Sequence, residues 1–416
     1  MHARLSTPGR WSTLFLLLSA LLVALPQATT ALGAWYNGNW AYRAEVTVDP
    51  AKVGDDLTDF PVYLDLGSMP SSFFDKVQPG GGELRVTTKA GAEVPREVVS
   101  LDPVGGTGEL HFLAPNLSGS SDTSFYVYYG NASASDYGPS ETYGSENVWN
   151  DDYVLVQHLE ESPSGSGGTH YDSTSNSNDG TTNNGVTTNA TGKMYGADNF
   201  NGSYIAVPDN ASLDFTDALT VEAWIYPDAM TYYGGLVDKI GGSSPSSNGD
   251  GWLLRHDGGG TMNLIAIEDG TPWYGDDADV SLSTEAWQHV VGRYDGSVIK
   301  VLRDGGALAG GTEDSTTSAI LSSLPVTSYQ VNIGSYGYEG HSSHTAYPFK
   351  GTMDEVRISQ VARSDEWIFT AYNNQYEPGT FYSLGALEPI PEPASLMIFL
   401  GLGAIGLLLR RRKRPR

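Results

Sequence analysis

The sequence contains no cysteine. This absence excludes thiol nucleophiles, thiolate metal sites and disulfide bonds. With 416 residues, the chain is long enough to bury large hydrophobic cores without covalent cross-links. Basic residues are also scarce, since 23 Lys and Arg stand against 49 Asp and Glu and give a net charge of −26. Such a surface repels nucleic acid, so we expect no nucleic-acid partner.

Long helical patterns are missing from the interior of the sequence. Short β-rich runs recur instead, separated by turns of Gly, Asn and Asp, and the chain contains 50 glycines. This alternation is typical of β-sandwiches and barrels. The sequence therefore predicts an all-β fold.

The first 34 residues have the pattern of a secretory signal peptide. Arg4 and Arg10 precede an apolar run over residues 14–25, and small residues follow before Ala34. A positive start, a short apolar stretch and a small-residue cleavage site mark proteins for export. We expect residues 1–34 to be removed on export.

Near the other end, residues 395–409 carry no charge. A helix of this length covers roughly 22 Å, which is short for a bilayer but sufficient if the membrane thins. The basic residues that follow, beginning with Arg410, Arg411 and Arg412, would stay on the cytoplasmic side. The alternative, a buried core helix, is disfavoured because nothing after it could cover it. We predict a short transmembrane helix.

The order of these features resembles the bacterial PEP-CTERM sorting arrangement. Pro391, Glu392 and Pro393 supply the motif, and the short span and the basic tail complete a sorting segment over residues 389–416. The resemblance implies an exosortase-type processing protease as a partner. It also implies transient anchoring in the inner membrane and delivery to the cell surface or extracellular matrix.

Residues 35–147 form a first β-rich block. Strands are predicted at 60–66, 83–88, 109–115 and 124–130, and a loop rich in Gly, Ser and Pro ends the block. In the strand at 109–115, Leu110 and Phe112 alternate with His111, as expected for a half-buried strand. The stretches "NWAYRAEVTV", "DFPVYLDL" and "FYVYYGNASA" resemble a bacterial surface domain of unknown function that precedes LamG-like domains. We expect a β-sandwich-like fold here.

Residues 148–388 form a second β-rich block. In "LTVEAWIYP" (219–227) both faces carry apolar bulk, as an inner sandwich strand requires. "WQHVVGRYDGSVIKVLRDGG" predicts a hairpin with a type I′ turn at Asp295-Gly296, and Ser364 is a candidate N-cap for a closing helix. Together with "FNGSYIAVPDNASLDF" and "GTMDEVRISQVARS", these stretches resemble a LamG-like, concanavalin A-type jelly roll.

Glucanases of the same fold use two carboxylates on one strand, in a Glu-x-Asp-x-x-Glu pattern. The sequence contains no such run, and on a regular strand the adjacent Asp354 and Glu355 would point to opposite faces. No nucleophile-elbow motif supports a serine triad. We expect a protein that is not an enzyme.

Calcium is the candidate cofactor, in a structural role, because the acidic chain offers many hard oxygen ligands. Asp354 lies where the resemblance places a structural calcium ligand, and the segments around Asp172 and Asn201 are expected to meet it. The alternative is that Asp354 caps or pairs with a backbone group. The sequence leaves both open.

Ligand recognition is predicted in two loops rich in aromatic residues, at 269–277 and 335–347. Trp273, Tyr274, Tyr336 and Tyr338 are the candidates for stacking on sugar rings, and the alternative is that these are ordinary surface loops.

The function expected is that of an exported surface or matrix protein that binds glycan or exopolysaccharide, or acts in adhesion, through the LamG-like domain. Two alternatives remain: a structural matrix component without a discrete ligand, and a divergent glycan-active hydrolase.

Overall fold

The computed structural model describes residues 35–161, 166–241, 250–267, 278–317, 323–337 and 347–391. In this part of the chain nearly all regular structure is β-strand, so the predicted all-β class is confirmed. The first strands are β1 (Tyr42–Val48), β2 (Leu57–Asp65), β3 (Arg85–Thr88), β4 (Glu93–Val94), β5 (Arg96–Asp102), β6 (Thr107–Leu117) and β7 (Thr123–Tyr129).

The strands that follow belong mainly to the second predicted block. They are β8 (Tyr153–Gln157), β9 (Thr169–His170), β10 (Gly180–Asn183), β11 (Thr187–Thr191), β12 (Gly196–Asn201), β13 (Tyr204–Val207), β14 (Leu219–Pro227), β15 (Tyr233–Gly241), β16 (Asp250–Asp257), β17 (Thr261–Ile267), β18 (Val280–Ser281), β19 (Gln288–Tyr294), β20 (Val298–Arg303), β21 (Thr312–Thr317), β22 (Val331–Ile333), β23 (Ser335–Tyr336), β24 (Tyr347–Pro348), β25 (Lys350–Ser359), β26 (Tyr382–Leu384) and β27 (Glu388–Pro389).

The helices of the described residues are few and short. They are α1 (Ser71–Phe74), α2 (Asp365–Tyr376) and α3 (Pro378–Phe381), with 3₁₀ turns at Pro50–Lys52, Leu66–Ser68, Ser145–Val148, Ala211–Leu213 and Ala307–Ala309. No helix in the described residues is long and apolar enough to cross a membrane. The predicted span at 395–409 lies outside the described residues.

The first sandwich packs two antiparallel sheets face to face. One has the strand order β26-β1-β7-β3-β4, with β27 also on β1, and the other has the order β2-β6-β5. Alternate side chains of each strand fill the core between them, as the period of a β-strand requires. The core residues of β1, β2, β6 and β7 include Val46, Val48, Phe60, Val62, Leu64, Leu110, Phe112, Ala114, Phe125 and Val127.

The second sandwich is larger. One sheet follows the order β18-β17-β16-β15-β22-β13-β10-β9, with β24 joining β15 to β23, and the other follows β11-β12-β25-β14-β19-β20-β21, with β8 on β25. Leu219, Val221, Ala223 and Ile225 of β14 are fully buried between the sheets. On the other face of β14, Trp224 is also buried. The expectation that both faces of this strand are covered is therefore confirmed.

The predicted hairpin forms between β19 and β20, but its turn differs from the expectation. Tyr294 pairs with Ile299, so four residues rather than two lie between the two members of this last pair. Gly296 has a positive φ of 91° and Asp295 does not, which excludes a type I′ turn. The Asp295 carboxylate accepts hydrogen bonds from the backbone N–H groups of Ser297 and Val298, at 3.0 and 2.7 Å. This side chain stabilises the longer loop.

Helix α2 touches both sandwiches. The Ser364 Oγ accepts a hydrogen bond from the Trp367 N–H at 3.1 Å, so the predicted N-cap is present. Trp367 packs against Phe60 of the first sandwich, with ring centroids 4.9 Å apart. Tyr372 stacks on Trp224 of the second, at 5.9 Å. The helix therefore fills the space between the two sandwiches.

After α2 the chain returns to the first sandwich. Strand β26 pairs with the end of β1, and β27 pairs with its start, where Tyr42 lies opposite Pro389. The described residues from Tyr36 onward belong to one compact unit. The domain limits at 147/148 and 388 stay predictions, and the structure adds that residues 365–389 pack with the first β-rich block.

One buried amide holds α2 to the edge of the first sandwich. The Asn374 side chain accepts from the Tyr63 N–H at 2.7 Å and donates to the Tyr63 carbonyl at 2.8 Å. Asn374→Ala leaves both buried backbone groups unpaired, so we expect the free energy of unfolding to fall by about 2 kcal/mol in urea denaturation. Asn373→Ala is the control, because Asn373 is half-buried and donates one bond of 3.2 Å. Equal losses for the two variants would contradict this account.

Candidate functional site

The outer face of the β2-β6-β5 sheet is polar and buried. Because Leu110 and Phe112 face the core of the first sandwich, Glu109 and His111 point the other way along β6. The register places Tyr63 of β2 and Glu97 of β5 on either side of His111. The sequence predicted a half-buried strand here, with His111 on its open face. That prediction is wrong, since His111 is fully buried where the second sandwich covers the sheet.

Two residues of the second sandwich meet this face. His158 directly follows β8, and Glu355 lies on β25, the neighbouring strand. The pairing of β25 with β14 shifts register between Asp354 and Arg357, which marks a β-bulge, and Glu355 has a left-handed φ of 53°. The expectation that Asp354 and Glu355 point to opposite faces assumed a regular strand. The bulge breaks that alternation, and the carboxyls of Asp354 and Glu355 both interact electrostatically with that of Glu109.

Glu109, His111, His158 and Glu355 together form what we call the Glu/His cluster. The His111 Nε2 lies 2.8 Å from the Glu109 Oε1, and the His158 Nδ1 lies 3.5 Å from the same oxygen. The His158 Nδ1 also contacts the Glu355 Oε1. One nitrogen or oxygen from each side chain falls within 4.8 Å of all the others. Among the described residues, this is the one such group of three or more with metal-ligand spacing.

Aromatic and charged neighbours fix the cluster. The Trp149 ring packs against His111 and His158, with centroids 5.3 and 5.6 Å away, and the two imidazoles lie 4.9 Å apart. The Trp149 Nε1 donates to the Glu97 Oε2 at 2.7 Å. Arg357 lies over the Trp149 ring at 4.9 Å and its Nε donates to the Glu355 Oε2 at 2.9 Å. The side chains are therefore held in place from several directions.

The burial of so many ionisable groups shifts their pKa values. Burial, together with the nearby Glu355, raises the pKa of Glu109 well above its usual value. Burial also lowers the pKa of His111. Although burial opposes its ionisation, His158 and Arg357 hold the pKa of Glu355 well below its usual value. The charges thus concentrate on Glu355 and its two cationic neighbours, His158 and Arg357.

A pocket of about 360 Å³ opens beside the cluster. His158 is the cluster residue that lines it, so solvent reaches the cluster from the side of this imidazole. The lining also contains three carboxylates and the exposed ring of Tyr171. The full lining is Glu97, Val98, Val99, His158, Glu160, Glu161, Tyr171 and Ser173.

A further buried histidine, His170, lies next to this pocket. The His170 Nδ1 is 3.2 Å from the Glu161 Oε2, and its Nε2 is 3.3 Å from the Asp198 Oδ2. Asp198 is fully buried. Burial and the neighbouring carboxylates of Glu161 and Asp354 raise the pKa of Asp198 to about 8.

The predicted calcium ligands are distributed differently. The Asp172 carboxylate accepts from the backbone N–H groups of Val156, Thr174 and Asn178, at 2.9, 3.0 and 2.8 Å. The Asp354 Oδ2 accepts from the backbone N–H groups of Lys193 and Met194, at 2.7 and 3.0 Å. Asn201 is exposed at the end of β12, opposite Lys350.

The sequence left open that Asp354 pairs with a backbone group instead of binding calcium. Its contacts with Lys193 and Met194 correspond to that alternative. No hydrogen bond or ion pair of the described residues joins Asp172, Asn201 and Asp354 to one another. Calcium binding at these three residues stays a prediction.

Of the predicted sugar-binding residues, the structure describes Tyr336. This ring is 2% exposed and stacks on Tyr347, with centroids 4.7 Å apart at 18°. Tyr233 meets Tyr347 edge-on at 5.8 Å, and Arg255 lies over the Tyr233 ring at 4.5 Å. The ring of Tyr232 is 76% exposed and contacts Tyr233. We call these four rings the tyrosine group.

Several predicted site residues lie outside the described part of the chain. They are Trp273, Tyr274 and Tyr338 of the sugar-binding set, Glu392 and Pro393 of the sorting motif, and Arg410, Arg411 and Arg412 of the basic tail. Pro391 is described and is exposed.

The Glu/His cluster was missed by the sequence reasoning. A Glu-x-His pair on one strand was visible at Glu109 and His111, and alternation places such a pair on one face. What the sequence did not provide was the pairing of this face with His158 and Glu355, which are distant in the chain.

Comparison with known families found a match for most of the second sandwich and one for the C-terminal segment. Residues 198–369 match the family model described as the concanavalin A-like lectin/glucanases superfamily, and residues 389–413 match the PEP-CTERM protein-sorting motif. The chain carries a concanavalin A-like domain and a PEP-CTERM sorting motif. The motif implies an exported protein with a C-terminal membrane anchor before processing. No curated protein matches the chain.

Some solved structures match parts of this chain at low sequence identity and low structural similarity. Domain 4 of AbnA, an extracellular arabinanase of Geobacillus stearothermophilus in complex with arabinotriose, is 21% identical with a TM-score of 0.40 and covers 53% of this chain and 98% of its own. The binding domain of Paraclostridial Mosquitocidal Protein 1 is 14% identical with a TM-score of 0.41. The match covers 53% of this chain and 52% of that one. The Ruminococcus gnavus sialidase CBM40, bound to sialyllactose, is 15% identical with a TM-score of 0.33 and covers 39% of this chain and 86% of its own.

The raised pKa of Asp198 predicts a pH-dependent loss of stability. A carboxyl that ionises near pH 4 when unfolded and at about 8 when folded favours the unfolded chain as pH rises through that window. Asp198→Asn removes this loss. We compare the free energy of unfolding of the variant with that of wild type by urea denaturation. We expect the difference in favour of the variant to be larger at pH 9 than at pH 4 by at least about 1 kcal/mol.

The control for this measurement is Asp228→Asn, because Asp228 is exposed. Its stability should follow that of wild type across the whole pH range. Parallel curves for wild type and Asp198→Asn would show that Asp198 ionises at its ordinary pH in the folded protein.

Proposed function

We propose that this is an exported surface or matrix protein whose concanavalin A-like domain binds glycans without cleaving them. The observation that carries the proposal is the match of residues 198–369 to a superfamily of lectins and glucanases. Extracellular polysaccharide or a surface glycan is the ligand class, and adhesion is the biological outcome expected. A structural calcium ion at Asp172, Asn201 and Asp354 remains part of this proposal.

The tyrosine group is the proposed binding surface. On β16, Arg255 alternates with the core residue Leu254, so Arg255 and the rings beside it lie on the face of the sheet turned away from the core. Aromatic rings offer large apolar faces with polar hydroxyls at the edge, which suits sugar rings. Tyr336 lies beneath Tyr347 and supports it rather than contacting a ligand. In the sequence, Tyr338 and the loop at 269–277 adjoin β23 and β17.

The proposal of a non-catalytic protein rests on the carboxylates. The paired carboxylates of a glucanase strand are absent from the sequence pattern, and glycoside hydrolysis needs two carboxyls that reach one sugar bond. A divergent hydrolase is the alternative, and a structural protein without a ligand is another. Reducing-sugar release from the polysaccharides that the protein binds separates a hydrolase from a binder.

Export and sorting complete the proposed function. The PEP-CTERM match supports cleavage by an exosortase-type protease, followed by delivery to the surface or matrix. Strand β27 ends at Pro389, so the motif begins directly after the last strand that pairs with β1. The exposed Pro391 is therefore free of the β-sheet and accessible to a protease.

Glycan binding is tested with the purified exported protein on an array of bacterial and plant polysaccharides. Tyr347→Ala and Tyr232→Ala should each weaken binding about tenfold, or about 1.4 kcal/mol, because each removes an aromatic face from the proposed surface. Tyr171→Ala is the matched control, since Tyr171 is an exposed tyrosine in the pocket beside the Glu/His cluster. Loss of binding in Tyr171→Ala alone would move the glycan site to that pocket.

Processing is tested by mass spectrometry of protein extracted from the cell surface. We expect chains that lack the basic residues Arg410 to Arg416, because cleavage at the sorting motif releases the tail. Replacement of Pro391, Glu392 and Pro393 by alanine should leave the tail attached and the protein in the membrane fraction. Surface protein that retains the basic tail would exclude processing at this motif.

A further inference from the structure

We propose that the Glu/His cluster binds one divalent transition-metal ion, with Zn²⁺ as the preferred ion, and that this ion joins the two sandwiches. Glu109 and His111 come from the first sandwich, and His158 and Glu355 come from the second. The site is distinct from the proposed glycan surface and from the predicted calcium ligands.

The ligand atoms have the chemistry and spacing of a zinc site. Zinc binds imidazole nitrogen and carboxylate oxygen at about 2.0–2.2 Å, and in a tetrahedral site the ligand atoms are therefore about 3.4 Å apart. In the cluster, the Glu109 Oε1 lies 2.8 Å from the His111 Nε2 and 3.5 Å from the His158 Nδ1, and all four ligand atoms fall within 4.8 Å. Small side-chain movements are sufficient to place an ion among them.

The outer atoms of two ligands are already held by further partners. The His158 Nε2 lies 3.4 Å from the Glu97 Oε2, which leaves its Nδ1 directed at the other ligands. The Glu97 carboxylate is itself fixed by the Trp149 Nε1 and the Ser173 Oγ, each at 2.7 Å. A carboxylate that orients a histidine in this way is a regular feature of zinc sites, where it also raises the basicity of the ligand.

Glu355 shows the same arrangement. Its Oε2 accepts from the Arg357 guanidinium, and its Oε1 contacts the His158 Nδ1. The left-handed backbone at Glu355 places a non-glycine residue in a disfavoured conformation, which a bulge at a functional site often requires. On a regular strand the Glu355 carboxylate would point elsewhere. The bulge directs it toward the cluster.

Two carboxyls of the cluster, once both are ionised, can balance the charge of a divalent ion. The cluster buries the carboxyls of Glu109 and Glu355, with that of Asp354 nearby, and Arg357 is the permanent cation in contact with it. Buried carboxylates are costly unless a cation compensates them. The two imidazoles favour a transition metal over calcium, which prefers six to eight oxygen ligands.

Solvent access exists on one side. The pocket lined by His158 also carries Glu97, Glu160 and Glu161, and an acidic rim raises the local concentration of cations. With four protein ligands the site is closed to substrate, as structural zinc sites are. We therefore assign the ion a structural role.

The test uses the purified exported protein, stripped of metal with a chelator. Zn²⁺ alone is then added, and bound metal is counted by mass spectrometry while the melting temperature is followed. We expect one Zn²⁺ per chain and a melting temperature that rises with zinc concentration and falls again with chelator. Cobalt(II) should give the visible absorption of a four-coordinate site. Less than a tenth of an ion per chain, or stabilisation by Ca²⁺ alone, would overturn the proposal in favour of a metal-free hydrogen-bond network.

Variants locate the ion. His158→Gln and Glu109→Gln should each weaken zinc binding at least a hundredfold. His289→Gln is the matched control, because His289 is a buried histidine whose Nε2 lies 3.3 Å from the Glu222 Oε2, outside the cluster. It should bind one Zn²⁺ as wild type does. Undiminished binding in both cluster variants would overturn the assignment, and if a variant does not fold, the wild-type zinc and cobalt titrations decide.

Discussion

The contact between the outer face of β2-β6-β5 and the second sandwich is the interaction on which the rest of the structure depends. That sheet is buried on both sides, with an apolar core beneath Phe112 and polar groups around His111. Buried polar groups are costly without partners. The partners of Glu109 and Glu97 include His158, which the second sandwich supplies. Each half of the interface therefore supplies polar partners to the other.

The return of the chain after β25 strengthens this contact. Asn374 pairs with the edge of β2, and α2 covers Trp224 of the second sandwich with Tyr372. Strands β26 and β27 then pair with β1. Since the pairing of Tyr42 with Pro389 brings the start of the first sandwich next to the beginning of the sorting segment, the folded region begins and ends on one sheet edge.

Local patterns were sufficient to predict several of the strands. The alternation in Leu219, Val221 and Ala223 identified β14 with both faces covered, and Ser364 identified the start of α2. These features depend on residues within a few positions of each other. The turn at Asp295 was predicted less well, because the Asp295 side chain competes with the expected backbone turn.

The Glu/His cluster required information that local patterns do not contain. His111 and Glu355 are 244 positions apart in the numbering and meet only when two sandwiches dock. Strand alternation predicts that Asp354 and Glu355 point to opposite faces, and the bulge at Glu355 makes that prediction wrong. Nothing in "GTMDEVRISQ" indicates the bulge. For the same reason the buried state of His111 could not be read from the residues of β6.

The two sheets of the second sandwich place the contact with the first sandwich and the proposed glycan surface on opposite sides. The sheet that contains β25 and β14 faces the first sandwich, through Glu355 on one strand and through Trp224 beneath α2 on the other. The opposite sheet contains β15 and β16, and its outer face carries Tyr233 and Arg255. Because the hydrophobic core separates these faces, a ligand at the tyrosine group does not touch the docking contact. The proposed glycan surface is thus separated from the contact that holds the two sandwiches together, which suits a domain that binds its ligand on a rigid scaffold.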